Sequence, residues 1–424
     1  MKKKKLMLSI LLCTSILMSN AIGAFAYETY DDNCLDDGVD NAKYYVSSSA
    51  SDIEKRIKAA VESWNYSDTD VSITETSKLS SAQIRFYYKD SYFDEDDDNV
   101  IARTQFYIKG DGWSVPDYDW TKARIRVHPE VYDSLKSKNG LSRSKNQQGT
   151  LAHELGHAMG LAHTRDEETI MCQLGKGRTV YKPQEDDEDG INHLYGHHFK
   201  SPRYKALSYV ATTDSAVDID ESDFSYIVSE EDCIDSYESI DEITNDADTI
   251  IKAEIEDISS CFDIGGIYTD VKIKVLESLE GELKIGDVIE VRLHGGVIEG
   301  EDAKEFRTKM LEEDGITCDN VSSERIEEIA DGLENFKIGD TTILFLNSDN
   351  NKYTVTGSHQ GRFKIDNNYI KVNDEFIEKE KEIKINKFAV RNKSMVRDTN
   401  TSENVNVDEF IQKIKNSVDK KNEN

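Results

Sequence analysis

The amino-acid sequence predicts an α+β protein: a mixed, twisted sheet with helices, followed by a small, mostly antiparallel β barrel or sandwich. Two observations carry this. Strand-like and helix-like segments interleave between residues 43 and 160, and from about residue 248 the apolar pattern turns to period two, punctuated by glycine turns. The chain has 424 residues, enough for two or three domains, and its 20 Tyr, 14 Phe and 3 Trp can build real cores. Acidic residues outnumber basic ones 83 to 52, a net charge of −31. Such a chain lacks the phosphate-neutralising surface that nucleic-acid binding needs. After residue 26 no apolar run approaches the ~20 residues of a membrane-spanning helix, so no membrane span is expected.

Residues 1–26 set four lysines ahead of an apolar run ending in Ala24-Phe25-Ala26. This is the pattern of an export signal with a small-residue cleavage site, and it stands outside the fold. A secreted, extracellular protein is expected, at most loosely held at a cell surface. Lys43-Tyr44-Tyr45-Val46 reads as a first strand. Ser51 and Glu54 have capping-box spacing, ahead of Ile53, Ile57, Ala60, Val61 and Trp64 on one helical face. Residues 82–89, 100–108 and 123–128 have strand composition, and Pro129 ends the last of them. A polar loop leads to a helix over about 147–160. Residues 200–247 are acidic and poorly patterned, and read as a linker. Beyond them Ile251, Ala253 and Ile255, Val271, Ile273 and Val275, and Ile289, Val291 and Leu293 alternate, with Gly281, Gly286, Gly295, Gly296, Gly339 and Gly357 at turns. A helical insertion is expected near 302–335, and Val407, Phe410, Ile411, Ile414 and Val418 form a last amphipathic helix. The expected division is 1–26 signal, 27–199 first α+β domain, 200–247 linker and 248–424 β-rich domain with its terminal helix.

Residues 153–163 read His-Glu-Leu-Gly-His-Ala-Met-Gly-Leu-Ala-His. His153 and His157 lie four apart, so on a helix their imidazoles point to one side and can share a zinc ion. Glu154 is not a ligand in this register. It is placed to take a proton as general base. Gly160 lets the chain leave the helix at positive φ and bring His163 back as a third ligand. The fourth position is left for water or substrate. A chance H-E-x-x-H on an ordinary helix would not supply the glycine and the third histidine at these offsets.

This extended spacing resembles that of the metzincin zinc endopeptidases. Met171, eight residues after His163, resembles their methionine turn, and the short interval resembles the matrixin branch. Residues 186–196, DDEDGINHLYG, resemble the opening of the last matrixin helix. The resemblance covers about 40–199. It implies a metzincin-like catalytic domain with a mixed twisted sheet, an active-site helix and a C-terminal helix. It implies hydrolysis of protein or peptide substrates with one catalytic zinc ion, a zinc-activated water and Glu154 as base. An extended substrate is expected to add as a strand along 100–106, with Ala102, Arg103 and Thr104 as candidate contacts. Residues 178–183 are expected to wall the pocket for the side chain following the cut. Tyr181 is a candidate carbonyl-stabilising hydroxyl there, and a packing or solvent-facing tyrosine fits the same position. The latency segment of animal matrixins is absent, and no histidine lies between 85 and 125, so a second, structural zinc is not expected. Clustered carboxylates at 94–98 and 111–119 suit calcium, and a solvated acidic loop fits them equally. His193, His197 and His198 are expected to end a surface helix rather than bind metal.

Five cysteines lie outside the leader: Cys34, Cys172, Cys233, Cys261 and Cys318. The odd count leaves at least one free thiol, and one bridge within the C-terminal half stays open. A monomer is expected, and the acidic surplus weakly favours cationic substrates. A second function class also stays open. The 248–424 half carries no legible chemistry and would be the main module of a surface-binding or adhesion protein.

Overall fold

A computed structural model describes residues 27–30, 32–94, 97–108, 119–198, 222–237, 239–318, 320–349, 352–371 and 404–423. The expected export signal, most of the 111–119 loop and residues 200–221 lie outside the described residues. The first half runs β1 (Glu28–Thr29), β2 (Lys43–Val46), α1 (Glu54–Asn65), β3 (Thr74–Glu75), β4 (Ile84–Tyr88), β5 (Val100–Ile108), β6 (Ala123–Val127), α2 (Pro129–Ser134), α3 (Arg143–Ala158), β7 (Leu161–Ala162) and α4 (Glu185–His198). The second runs β8 (Tyr226–Cys233), α5 (Ile240–Asp246), β9 (Thr249–Phe262), β10 (Ile267–Glu280), β11 (Val288–His294), β12 (Gly296–Ile298), α6 (Glu301–Glu313), β13 (Ile326–Ala330), β14 (Thr341–Asp349), β15 (Lys352–Val355), β16 (Arg362–Asp366), β17 (Tyr369–Lys371), β18 (Asn404–Asn406) and α7 (Val407–Glu423).

The expected strands fall within a residue or two of their predicted places, because alternation marks a pleated, half-buried surface. Helix α1 buries Ile57, Ala60, Val61 and Trp64 as its spacing predicts. Ser51 does not cap it. Residues Ser48–Ile53 form a 3-10 turn, and α1 starts from Ile53 without a side-chain cap. Helix α3 begins four residues earlier than its apolar pattern suggests, because Ser142 caps it and accepts from Lys145 N. Its first turn is polar and exposed, and behind it the buried Asn146 and Gln147 donate to the carbonyls of Lys136 and Tyr132.

An eight-stranded sheet is ordered β12-β13-β8-β5-β6-β4-β2-β3. Strands β2, β4 and β6 are parallel, and β5 runs antiparallel to β6. One side of this sheet carries α1 and α3. Trp64 Nε1 donates to the Ala152 carbonyl at 2.8 Å and Trp120 Nε1 to that of Ala158 at 3.0 Å, which ties the sheet side to α3. On the other side a row of arginines, Arg85, Arg124, Arg126 and Arg103, is buried rather than solvated. The C-terminal half covers three of them with acids and Arg126 with the Gly265 carbonyl. Asp314, just past α6, sits 2.8 Å from Arg85 and 2.6 Å from Arg124, and Glu231 sits 2.7 Å from Arg103.

That contact corrects the linker reading. Residues 226–233 are a strand paired with β5 along its length and with β13 over 226–229, not a connector. Their acidic composition hid them, since buried strands ordinarily read as apolar runs. The expected insertion near 302–335 is likewise only half helical. It holds α6 and then β13, which returns to the same sheet.

The β-rich half holds a closed five-stranded barrel, β15-β11-β10-β9-β14, shut by the β14–β15 pairing and extended by β16, β17 and β18. Its interior is Ile251, Ala253, Ile255, Val271, Ile273, Val275 and Val291, the alternating set seen in the sequence. Helix α7 lays Val407, Phe410, Ile411 and Ile414 beside α5 over the barrel's outer strands. The five cysteines are separate thiols, so no bridge forms in the C-terminal half. No helix among the described residues is long and apolar enough to cross a membrane.

Candidate metal centre and active site

Helix α3 sets His153 and His157 one turn apart. Gly160 then turns the chain at φ 111°, a conformation that favours glycine. An added Cβ there would meet Leu194 Cδ1 at 2.9 Å and the Asn33 carbonyl at 3.0 Å. The turn brings His163 back against the helix. The three Nε2 atoms converge, His157 at 3.0 Å from both His153 and His163, and His163 at 3.2 Å from His153.

The tautomers follow from the other ring nitrogens. His153 Nδ1 lies 2.8 Å from the Ile170 carbonyl and His157 Nδ1 2.8 Å from that of Leu161. A carbonyl only accepts, so each Nδ1 carries the hydrogen and each Nε2 a lone pair. Converging lone pairs repel unless a cation sits among them, so the donor set fits zinc. Burial, together with Arg178 for His153 and the neighbouring histidines for the other two, holds all three imidazoles well below the usual histidine range. They are neutral, as metal ligation requires. Tyr30, from the N-terminal segment, adds its hydroxyl 2.7 Å from His157 Nδ1.

Glu154 lies on the same helix and is fully buried. Thr104 on β5 donates its hydroxyl to Glu154 Oε2 at 2.5 Å. Oε1 has no hydrogen-bond partner among the described residues. Burial and then the nearby Asp232 raise the Glu154 carboxyl well above the usual range, only partly opposed by Thr104. Met171 sets its thioether against Gly156 of α3, between the two helical histidines. Asp187, in the first turn of α4, fixes that turn by accepting from Ile170 N at 2.8 Å and Met171 N at 3.2 Å.

The substrate candidates divide. Thr104 reaches the site through Glu154. Ala102 is buried in the sheet, paired with both Val127 and Asp232. Arg103 points away from the site, into an ion pair with Asp97 and Glu231, because successive residues of β5 alternate sides. Tyr181 lies beneath the Lys145 ammonium, 4.5 Å from its ring centre, two turns before His153 on α3. His193 pairs with Asp32 at 3.0 Å on α4. Of the carboxylates expected to suit calcium, Asp94 is engaged by Arg292 at 2.9 Å and Asp97 by Arg103 at 3.0 Å, and those of 111–118 lie outside the described residues.

Sequence reasoning missed the strand that crosses this site. Strand β8 runs antiparallel along β5, the edge reserved for substrate. On its other side Gln173 Nε2 donates to the Glu231 carbonyl at 2.6 Å, Leu174 N to Asp232 Oδ1 at 2.8 Å and Gly175 N to the Cys233 carbonyl at 2.9 Å. Glu230 lies 3.8 Å from His163 Nδ1. The only sequence signal for β8 was the β-branched pair Ile227-Val228 ahead of three acids.

The sheet, helix α3 and the three converging imidazoles form a site that could hold a metal ion. Residues 39–196 match the matrixin family model, so this part of the chain resembles a matrixin catalytic domain. Human matrix metalloproteinase-19 is 42% identical over 64 residues, a match covering 15% of this chain and 12% of that relative. The match thus spans about an eighth of that relative's length.

Proposed function

We propose that the chain is an exported zinc endopeptidase that hydrolyses peptide bonds, with His153, His157 and His163 holding one zinc ion and Glu154 as general base. The observation that carries the reading is the convergence of three neutral imidazoles beside a buried glutamate with one free oxygen. Export rests on the leader-like residues 1–26. Zinc, when bound, supplies a Lewis acid that polarises the substrate carbonyl and acidifies water. Glu154 Oε1 takes the proton from the attacking water and later returns it to the leaving amine. Burial raises its proton affinity toward the operating pH, which is where a base that must also act as an acid works best. Thr104 holds Oε2 and so fixes which oxygen does the proton transfer. Once β8 is displaced, the cleft between β5 and residues 173–175 orients an extended peptide by main-chain hydrogen bonds.

The test pairs metal content with hydrolysis of unstructured casein. One zinc per chain is expected in wild type and in Glu154→Ala. Slow cleavage by wild type should stop with a chelator and be absent in Glu154→Ala. Cleavage that survives either change, or a chain that holds no zinc, overturns the reading.

A further inference from the structure

Strand β8 carries three consecutive acids, Glu230, Glu231 and Asp232, and the pleat sends them to alternate sides. Glu231 faces the barrel, where Arg103 at 2.7 Å and His294 at 3.0 Å hold it. Asp232 faces the reacting centre. Ligand atoms of His153, Glu154 and Asp232 all lie within 4.8 Å of one another. The Asp232 carboxylate fills a pocket floored by Arg178, with Arg178 Nη2 at 3.1 Å, Thr150 Oγ1 at 2.9 Å and Leu174 N at 2.8 Å. Thr150 is on α3, one turn before Glu154. Arg178 begins the 178–183 wall and is fixed in place by donating to the Cys172 carbonyl at 3.0 Å. Its Nε has no hydrogen-bond partner among the described residues, a donor Asp232 does not reach.

Resting on the peptidase reading, we infer that Arg178 sets the specificity of the cut. Its pocket takes an aspartate or glutamate side chain following the cleaved bond, and β8 is seated in the cleft as the chain's own stand-in for such a substrate. The pocket is closed to water, so an apolar side chain entering it would leave the guanidinium buried without a counter-charge, whereas a carboxylate restores the pair. The protein's overall negative charge opposes an acidic substrate only through a screened surface field, which a fully buried pair outweighs. The same seating makes the intact chain slow, because a substrate must displace β8 to reach Glu154.

Cut sites made by the wild-type chain in a denatured protein mixture are mapped by mass spectrometry, which needs no variant. Aspartate or glutamate is expected after the cut, favoured over leucine by on the order of 10²-fold. Quenched peptides differing only in the residue after the cut are then compared for wild type, Asp232→Ala, and Asp232→Ala with Arg178→Leu. The single variant should cleave acidic peptides at least tenfold faster than wild type. The double variant should lose the acidic preference. Cut sites without acids after the bond overturn the specificity, and equal rates for wild type and Asp232→Ala overturn the seating of β8. A labelled copy of residues 226–233, carrying Asp or Leu at the place of Asp232, is titrated into Asp232→Ala by fluorescence anisotropy. Tighter binding of the Asp copy supports the pocket even if no peptide is cleaved, an outcome that sinks the peptidase reading alone. Equal binding of the two copies overturns the pocket.

Discussion

Thr104 is the side chain through which β5 acts on the proposed base. Its hydroxyl stabilises the ionised form of Glu154, against burial and Asp232, which favour the neutral form. Thr104→Val keeps the shape and removes the donor. The Glu154 carboxyl then rises further, so the acid limb of the kcat/KM profile should move to higher pH while bound zinc stays at one per chain. An unmoved acid limb would mean that another group governs it. His153, Glu154, His157 and His163 were all legible in the sequence, because the chemistry fixes their residue types and a helix fixes their spacing. Asp232 and Arg178 were not. Each is an ordinary charged residue until the fold sets one against the other.

Helix α3 is both scaffold and site, so its packing governs the metal. Gly156 sits between the two helical ligands, where an added Cβ would fall 2.2 Å from Met171 Sδ and 3.4 Å from Trp64. Gly156→Ala should therefore cost about 1–3 kcal/mol by overpacking and weaken zinc retention at the same time. Thermal unfolding with and without a chelator reads both effects, and an unshifted Tm would mean that Met171 swings aside freely. The start of α3 shows where periodicity fails as a guide. Its first turn is held by the Ser142 cap and by side-chain hydrogen bonds from Asn146 and Gln147, which leave no apolar signature.

Across the whole molecule, an acidic C-terminal half is fitted to a row of buried arginines. Asp314 is the shared acceptor for Arg85, Arg124 and the Tyr87 hydroxyl. Asp314→Ala should cost about 3 kcal/mol or more, since removing one partner leaves buried charge behind. A denaturant midpoint close to wild type would show that water or another acid takes its place. The second junction is sensitive to pH. Burial and Arg103 push His294 down, but Glu328 and Glu231 outweigh them and raise it to about 10. Its contribution is fully present below its unfolded value of ~6.5 and is lost as pH rises toward about 10. Glu231 and Glu328 have carboxyls held below the usual range by Arg103 and His294, against burial, so theirs is lost in acid, below about 4.5. The junction should thus be firmest between about pH 4.5 and 6.5 and loosen by a few kcal/mol toward pH 10. Hydrogen exchange at β8 and β11, corrected for intrinsic rate, should report that loosening. Protection that stays level from pH 6 to 9 would count against it.

The sequence by itself determined most of the elements and the proposed metal ligands. Alternation with glycine turns wrote the barrel strands, and H-E-x-x-H-x-x-G-x-x-H wrote the convergence of three histidines proposed to hold zinc, because both are local patterns imposed by backbone geometry. It also supplied the arginines on β4, β5 and β6 and the acids of the second half, without saying that they meet. Only the tertiary structure decided that 226–233 is a strand, that it lies along β5 across the active site, and that Asp232 reaches Arg178. A buried ion pair needs both partners brought together from distant parts of the chain, and no local pattern announces which acid will find which arginine. The same acids that read as a solvated linker in one dimension become, in three, the groups that close the sheet.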